Sequence, residues 1–339
     1  MEHEPQIPPR PPLLKGGWGD YNSLVRMRKY HYLYGPVPSR RLGRSLGIDL
    51  VPRKICTYDC IYCQIGKTTK KTFLRKEYVP EKEVLEELKI LLLEGSSSID
   101  YLSLSGSGEP TLHSKIRSII KGIKEITPIP VAVITNGSLL CRREVREDLL
   151  HADVVLPSLD AVSPEVIMKI NRPHPRLSVE RVIEGIVEFR RVYKGQIWLE
   201  ILFCKGVNDT QEELQKMKEV VERIQPDLIH LNTVVRPPSE DWVKPLSQKE
   251  MEEIKAFFGE RASIISEFDR HLTYVTKEDI KDGILRILKR RPLSLVDLSK
   301  WTGIPREELE EQITSLSQEG KIKSRTHGNS IYYEIKYKG

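Results

Sequence analysis

Short apolar runs rich in β-branched residues alternate with longer amphipathic stretches along most of the chain from Ser45 onward. An apolar run followed by a helical pattern is typical of a βα unit in a parallel sheet. The runs predict six strands, at residues 45–51, 101–106, 131–137, 154–161, 196–204 and 228–235. The chain is therefore expected to fold as an α/β protein.

The segments between these strands have the spacing of polar and apolar residues that surface helices show. They predict helices at residues 82–94, 114–126, 143–152, 178–193, 210–224 and 247–260. In the helix at 178–193, five apolar residues recur at intervals that place them on one face: Val182, Ile183, Ile186, Val187 and Phe189. That face is predicted to be buried.

Six βα units are too few for a full eight-stranded barrel and too regular for a β-sandwich. A partial barrel or an open doubly wound sheet remains, and we predict a partial (β/α)6 TIM-like barrel of parallel strands. In both architectures, ligands bind at the carboxyl ends of the strands. Residues with unusual chemistry should therefore collect at that rim.

The pattern changes after Thr276. Residues 277–290, 294–300 and 305–319 predict three short helices, and residues 322–336 predict a hairpin that turns at His327, Gly328 and Asn329. Together these elements predict a small winged helix-turn-helix domain. The chain is thus divided into a basic, Pro-rich arm at 1–33, the barrel at 34–270 and the winged helix at 277–339.

Composition narrows the class of protein. The 339 residues contain no apolar stretch of the length that spans a bilayer, and the Pro-rich start lacks the pattern of a secretory signal. We therefore expect a cytoplasmic protein without membrane contact.

The net charge is +6, and residues 1–54 hold ten Lys or Arg against four acids. Arginines in this segment, including Arg40, Arg41 and Arg44, suit contact with phosphate or carboxylate groups, or form a solvated basic arm.

Polar and glycine-rich residues follow the predicted strands. The loop from Cys56 to Cys63 follows the strand at 45–51, and residues 106–110 follow the strand at 101–106. Thr135, Asn136, Ser158, Asp160 and residues 232–236 end three of the later strands. These groups are predicted to converge on one rim of the barrel.

Three of the five cysteines, Cys56, Cys60 and Cys63, lie within eight residues. This spacing does not resemble a disulfide framework, and it suits thiolates bound to metal. Three thiolates fit a cubane cluster that leaves its fourth iron open, whereas structural zinc needs a fourth protein ligand. Only folding could bring Cys141 or Cys204 close enough to supply that ligand, and each is more simply explained as a small core residue.

The loop Cys56-x3-Cys60-x2-Cys63, with the aromatic Tyr62 before its last cysteine, resembles the signature of the radical SAM superfamily. The resemblance implies a [4Fe-4S] cluster on the three cysteines and S-adenosylmethionine (SAM) bound to the open iron. It implies that one electron from the cluster cleaves SAM to a 5′-deoxyadenosyl radical. A reductant such as ferredoxin or flavodoxin is then a required partner.

Further residues match the positions that contact SAM in this superfamily. Gly106, Ser107, Gly108 and Glu109 resemble its glycine-rich segment, in which a carboxylate meets the SAM ammonium group. Thr135, Asn136, Ser158 and Asp160 match positions that contact the methionyl and ribose groups, or else cap the strand ends. The backbone of Tyr62 is expected to meet the adenine.

Residues 35–43 and 231–238 resemble the branch of the superfamily that includes the wyosine synthases, which rebuild a guanine in tRNA. The resemblance covers about residues 34–250. Wyosine synthases carry a second cluster on upstream cysteines, and this chain has no cysteine before Cys56, so that second cluster and its pyruvate chemistry are not implied. Candidate substrate residues are Arg40, Arg41, Arg172, Asn232 and Arg236, although salt bridges are the commoner role of loop arginines.

The predicted recognition helix of the winged domain is acidic, with Glu307, Glu308, Glu310, Glu311 and Glu319 against Arg306. The hairpin is basic, with Lys321, Lys323, Arg325, Lys336 and Lys338 against Glu334. An acidic helix repels phosphates, so contact with nucleic acid is expected through the hairpin, and docking onto the barrel or a protein is the alternative.

Three functions are consistent with these patterns. The leading hypothesis is a radical SAM enzyme that modifies a nucleoside in tRNA or another RNA. The second is an activase or modifier of a protein, similar to the enzymes that activate glycyl radical proteins. The third is an iron-sulfur redox sensor that binds DNA, against which the acidic helix and the polar strand ends argue.

Overall fold

The computed structural model describes residues 30–94, 99–265, 280–302, 304–328 and 330–337. The chain divides into two compact units, Met1–His31 and Tyr32–Gly339, and all the elements of the fold belong to the second unit. Most of the predicted basic arm lies outside the described residues. The same holds for the start of the predicted helix 277–290, for Asn329 in the predicted turn and for Lys338.

Thirteen strands occur in the described residues. They are β1 (Leu33–Ser39), β2 (Gly43–Ile48), β3 (Ile55–Cys56), β4 (Lys70–Lys71), β5 (Tyr101–Leu104), β6 (Val131–Thr135), β7 (Val154–Pro157), β8 (Gln196–Phe203), β9 (Leu228–Thr233), β10 (Ala262–Ile264), β11 (Leu293–Ser294), β12 (Ile322–His327) and β13 (Ser330–Ile335).

The described residues contain ten α-helices. They are α1 (Glu81–Leu93), α2 (Ile116–Ile126), α3 (Arg143–Asp148), α4 (Pro164–Ile170), α5 (Val179–Val192), α6 (Gln211–Ile224), α7 (Gln248–Phe258), α8 (Ile280–Leu288), α9 (Leu295–Thr302) and α10 (Arg306–Gln318). Each helix in these ranges is too short or too polar to span a bilayer.

The main sheet has eight strands in the order β1-β2-β5-β6-β7-β8-β9-β10. Strands β2 and β5 to β10 are parallel, and β1 pairs antiparallel with β2. Neighbours in the sheet follow one another along the chain, as successive βα units produce. The predicted α/β class and partial barrel are confirmed.

All six predicted parallel strands are present, and each ends earlier than predicted. The predicted strand 154–161 stops at Pro157, and the next residues form a loop at the rim. The prediction missed β1 and β10. Strand β1 contains a glycine and two prolines, which are rare in strands, and it is tolerated because it lies at the edge of the sheet.

The helices bury one face each, as their spacing predicts. Ile116, Ile119, Ile120 and Ile123 of α2 are fully buried, at the i, i+3, i+4, i+7 positions of one face. The five apolar residues singled out in α5 are also buried, which confirms that prediction. The core therefore lies between the parallel sheet and its surrounding helices.

The C-terminal module, residues 280–337, contains α8, α9, α10 and a small sheet in the order β11-β13-β12. Its buried core, which includes Leu298, Leu309 and Leu316, also takes in Val37 of β1. In addition, the Trp301 indole Nε1 donates a hydrogen bond to the Pro36 carbonyl oxygen over 2.9 Å. The module thus packs directly on the edge strand, while its classification as a winged helix and the predicted domain boundaries stay predictions.

Two helical glycines test how tightly the helices pack. A Cβ on Gly185 of α5 would lie 2.4 Å from the Cys141 backbone nitrogen, whereas a Cβ on Gly122 of α2 would meet the flexible end of Leu85. We expect Gly185→Ala to lower the free energy of unfolding by about 1–3 kcal/mol, because backbone cannot move aside as a side chain can. Gly122→Ala is the control and should change it by less than about 1 kcal/mol, since alanine favours the helix.

Urea unfolding of both variants beside the parent protein measures the two differences. An equal decrease in the free energy of unfolding for the two substitutions would show that α5 is not tightly packed against the short 3-10 helix at Ser138–Cys141.

Candidate functional site

A cavity of about 330 Å³ opens at the carboxyl ends of the parallel strands. It brings together all the residues that the sequence assigned to the cluster and to SAM: Cys56, Cys60, Tyr62, Cys63, Gly106, Ser107, Gly108, Glu109, Thr135, Asn136, Ser158 and Asp160. Residues more than 100 positions apart thus share one enclosed space.

The cysteine loop is held in place by backbone hydrogen bonds to the end of α4. The Asp59 nitrogen donates to the Asn171 carbonyl oxygen and the Ile61 nitrogen donates to the Ile170 carbonyl oxygen, both over 2.9 Å. The Ile61 side chain is fully buried. The spacing of the three sulfurs therefore depends on the folded barrel.

Each cysteine sulfur accepts a hydrogen bond from a different part of the fold. Lys54 Nζ donates to Cys63 Sγ over 3.2 Å, and Asn136 Nδ2 donates to Cys56 Sγ over 3.4 Å. Asn171 Nδ2 donates to Cys60 Sγ over 3.3 Å. Such donors stabilise thiolates that bind a cluster. The donor set therefore fits an iron-sulfur cluster on these cysteines.

Without bound iron, the protein around Cys56 and Cys60 disfavours the ionised form of their thiols. Burial, aided by the charge of Glu109, raises the pKa of Cys56 to about 12. Burial also raises the pKa of Cys60 well above its ordinary value. Positive iron would reverse this preference, so cluster assembly releases protons from the loop.

The arrangement of the three cysteines distinguishes a site for an iron-sulfur cluster from a site for a single metal ion. Within the part of the chain that the structure describes, no group of three His, Cys, Asp or Glu side chains could hold one metal ion. A cubane does not need such a group, because each cysteine binds a different iron. Cys141 Sγ donates to the Ser138 carbonyl oxygen, and Cys204 is buried in the core, so neither lines the cavity.

The glycine segment packs tightly under the cysteine loop. A Cβ on Gly108 would lie 2.5 Å from the Ile55 carbonyl oxygen, so no larger residue fits there. The Lys54 backbone nitrogen, in a left-handed residue with φ of 61°, donates to the Ser107 carbonyl oxygen over 2.7 Å. The segment and the cysteine loop are thus joined through their backbones.

Glu109 connects two strand ends. Its Oε1 accepts hydrogen bonds from the Thr111 nitrogen, the Thr111 hydroxyl and the Thr135 hydroxyl, and its Oε2 accepts one from the Asn136 nitrogen over 2.8 Å. Burial still raises the pKa of this carboxyl, because desolvation outweighs the four donors. The side chain therefore joins the ends of β5 and β6 at the cavity.

Asp160 holds the side chains of Tyr62, in the cysteine loop, and of Asn171, at the end of α4. The Tyr62 hydroxyl and Asn171 Nδ2 both donate to Asp160 Oδ2, the latter over 2.7 Å. Burial raises the pKa of Asp160 to about 6. Sequence reasoning considered only the backbone of Tyr62, whereas the structure shows that its hydroxyl is also held.

The predicted substrate residues are placed differently from one another. Arg41 lines the cavity and forms an ion pair with Glu200. Arg40 Nη1 donates to Asn232 Oδ1 over 3.2 Å, and neither residue lines the cavity. Arg172 forms an ion pair with Glu240 over 2.6 Å and does not line the cavity.

Sequence reasoning missed several residues of the site. These are Lys54, Asn171, Glu200, Arg290 and Arg291. Glu200 had a visible signal, since it is a carboxylate inside the apolar run of β8. The other four have no local pattern that marks them, because only tertiary contacts bring them to the cavity.

Comparison with known proteins agrees with this geometry. The model of the radical SAM superfamily matches residues 50–219. The chain is 37% identical over 317 residues to a Brachyspira hyodysenteriae protein described as GTPase Obg, covering 93% of this chain and 46% of that protein. It thus spans less than half the length of that relative.

Two further relatives are informative. A UPF0026 protein of Methanocaldococcus jannaschii is 32% identical over 309 residues, which cover 88% of this chain and 94% of that protein. A probable GTP 3′,8-cyclase of Saccharolobus islandicus is 28% identical over 193 residues, covering 56% and 58% of the two chains.

Among solved structures, a radical SAM methyltransferase from Sphaerobacter thermophilus aligns with a TM-score of 0.50 and 13% identity. The alignment covers 65% of each chain, and it supports the fold alone. The family match, the relatives and the cavity agree, and the chain therefore belongs to the radical SAM superfamily, enzymes that use a [4Fe-4S] cluster and S-adenosylmethionine.

Proposed function

We propose that this radical SAM enzyme modifies a nucleoside in RNA, with tRNA as the first candidate. The observation that carries the proposal is a basic groove that joins the active-site cavity. Family membership makes the protein an enzyme, which argues against a redox-sensing regulator. A protein substrate is the competing hypothesis.

The basic groove is a second cavity, of about 310 Å³, between the C-terminal module and the cysteine loop. Among the described residues, its lining has six cationic side chains, Arg53, Lys289, Arg291, Lys323, Arg325 and Lys336, and one carboxylate, Glu334. Gln64, Ile65 and Arg291 line both the groove and the active-site cavity. A phosphate backbone in the groove would therefore bring an attached base to the cavity.

The charge of the module favours this surface over the helix α10. Lys323, Arg325 and Lys336 of the groove belong to the hairpin β12–β13 and its end, whereas the first turn of α10 contains Glu307 and Glu308. Positive side chains attract phosphates and the acidic helix repels them. Binding of nucleic acid through the hairpin would favour an RNA substrate, because operator DNA would have to be read by the acidic helix α10.

Two resemblances support a nucleoside as the group that the enzyme modifies. Residues 35–43 and 231–238 resemble segments of wyosine synthases, and a relative is described as a probable GTP 3′,8-cyclase. Both kinds of enzyme act on a guanine nucleoside or nucleotide. A guanine in RNA is therefore the substrate we would test first.

We assign the cluster to Cys56, Cys60 and Cys63, which leave one iron of a cubane open for SAM. A bound cluster and SAM would supply radical chemistry, with one electron from a reductant such as ferredoxin or flavodoxin and methionine as the leaving product. Lys54, Asn136 and Asn171 stabilise the sulfurs. The segment 106–109 and the side chains of Thr135, Ser158 and Asp160 are proposed to position SAM.

The assignment of the cysteines is tested by Cys60→Ala. After anaerobic reconstitution, we expect this variant to lose the open-iron cluster and to form no 5′-deoxyadenosine above background, because only two cysteines of the loop remain. Iron content, the electron paramagnetic resonance spectrum and product chromatography measure the result. Cys141→Ala is the matched control and should keep both iron and product.

Wild-type activity in Cys60→Ala would refute the assignment of this loop. A wild-type protein that holds one tetrahedral zinc ion would refute it as well.

The groove is tested with the double variant Lys323→Gln and Lys336→Gln. We expect weaker tRNA binding and a slope of log affinity against log salt that is smaller by about 1 for each phosphate that the variant no longer neutralises. Fluorescence anisotropy at several salt concentrations measures both. Arg306→Gln on α10, outside the groove lining, should bind tRNA as the parent protein does.

Recovery of bound partners from a cell extract separates RNA from protein substrates. Enrichment of a protein with no RNA would favour the competing hypothesis. Equal salt slopes for the double variant and the parent would show that the groove does not hold RNA.

A further inference from the structure

Five arginines come from three segments beside the active-site cavity, and three of them, Arg41, Arg290 and Arg291, line it. Arg40 and Arg41 lie in the turn between β1 and β2, Arg236 follows β9, and Arg290 and Arg291 follow α8 of the C-terminal module. Arg236 is close enough to lower the pKa of both Arg40 and Arg291 by charge repulsion. Three segments far apart in the sequence therefore place like charges together.

Two of the five are neutralised within the protein. Arg41 pairs with Glu200, and Arg290 Nε lies 3.4 Å from Asp49 Oδ2. Asp49 in turn accepts hydrogen bonds from the nitrogen and hydroxyl of Ser107, in the glycine segment of the SAM site. These pairs tie the arginine cluster to the active-site cavity.

The other three, Arg40, Arg236 and Arg291, have no such partner among the described residues. None of their guanidinium groups lies within ion-pair distance of a carboxylate in those ranges, and Arg40 bonds only the neutral Asn232 there. Arg236 Nε is buried without a hydrogen bond. Asp297 is near enough to act on Arg40 and Arg291 electrostatically, but its Oδ2 accepts from the nitrogen and hydroxyl of Ser294.

The unpaired charges are unfavourable in the protein alone. Burial and the neighbouring arginines lower the pKa of Arg40 to about 10 and that of Arg291 to about 9. A buried cation without a counter-ion is destabilising, and a bound anion removes that penalty. The cluster is thus built for a negatively charged ligand.

Hydrogen bonds from the module hold the loop that carries Arg236. The Tyr332 hydroxyl donates to the Val235 carbonyl oxygen over 2.8 Å, and Arg325 Nη1 donates to the Pro238 carbonyl oxygen over 3.0 Å. These bonds lie on either side of Arg236 in the sequence. The module therefore supplies Arg291 and also positions Arg236.

We infer that Arg40, Arg236 and Arg291 form a phosphate-binding site of the substrate, so that the C-terminal module is part of the substrate site rather than a separate reader of DNA. Guanidinium groups match phosphate oxygens in pairs, and several together suit a group with more than one charge. Arg291 lines both the groove and the active-site cavity, so a phosphate held there leaves the attached nucleoside within the cavity. The inference rests on the proposed RNA function and names the group that is recognised.

The test uses the reconstituted full-length enzyme and the single variants Arg40→Gln, Arg236→Gln and Arg291→Gln. Binding of inorganic pyrophosphate, guanosine 5′-monophosphate, guanosine and tRNA is measured for each by calorimetry. We expect each variant to bind the three phosphate-bearing probes at least 10-fold more weakly, because each substitution removes a charge-assisted hydrogen bond. Guanosine lacks phosphate, so the variants and the parent protein should bind it with equal affinity.

Two further readouts exclude a merely structural role. Without ligand, the variants should be at least as resistant to thermal unfolding as the parent, because each removes an unpaired buried charge. Arg291→Lys should retain part of the pyrophosphate affinity and should weaken tRNA binding less than Arg291→Gln. Arg143→Gln, a distant exposed arginine, is the control for every measurement.

The outcomes separate this inference from the RNA proposal. Parental affinity of all three glutamine variants for pyrophosphate and tRNA would overturn the arginine site alone. Loss of pyrophosphate binding in the variants, with no tRNA binding by the parent, would support the site and overturn the RNA substrate. Weaker binding of SAM instead of phosphate would assign the arginines to the SAM carboxylate and refute the inference.

Discussion

One loop must present three cysteine sulfurs inside a cavity whose burial opposes their ionisation, and the rest of the site is arranged around that constraint. The loop backbone is fixed to the end of α4, so the sulfurs keep their spacing. Lys54, Asn136 and Asn171 each donate to one sulfur, and they come from three separate segments. The loop sequence alone is therefore insufficient, since its charge is stabilised by the folded barrel.

The same hydrogen bonds link the cysteine loop to the glycine segment at residues 106–109. Glu109 receives donors from the ends of β5 and β6, and Asn136, whose nitrogen donates to Glu109, also contacts Cys56 through its side chain. On the opposite wall, Asn171 contacts both Cys60 and Asp160. Each carboxylate is thus connected to a cysteine sulfur through one asparagine, by the backbone and side chain of Asn136 for Glu109 and by the side chain of Asn171 for Asp160. This connection explains why polar residues at four strand ends form one site.

The C-terminal module packs on the open edge of the barrel and contributes residues to the active-site cavity. It shares a buried core with β1 through Val37, and it donates hydrogen bonds to the loop after β9. Because β1 lies at the edge of the sheet, the module covers a side that the parallel strands leave open. It also brings Arg290 and Arg291 to the active-site cavity, and Arg291 lines the neighbouring groove as well.

Sequence patterns alone determined the six parallel strands and the buried face of α5, because apolar periodicity is a local property. The residues that the resemblance assigned to the cluster and to SAM line one cavity, and their roles stay predictions. The patterns missed β1, whose prolines are tolerated only at a sheet edge, and they extended the strand at 154–161 into the rim loop. They left two roles open for Arg172, a substrate contact or a salt bridge, and the structure shows an ion pair with Glu240. Only the tertiary structure decided which arginines are neutralised and which stay unpaired, because the partner of a charge is set by chain segments that meet in space and not by its neighbours in sequence.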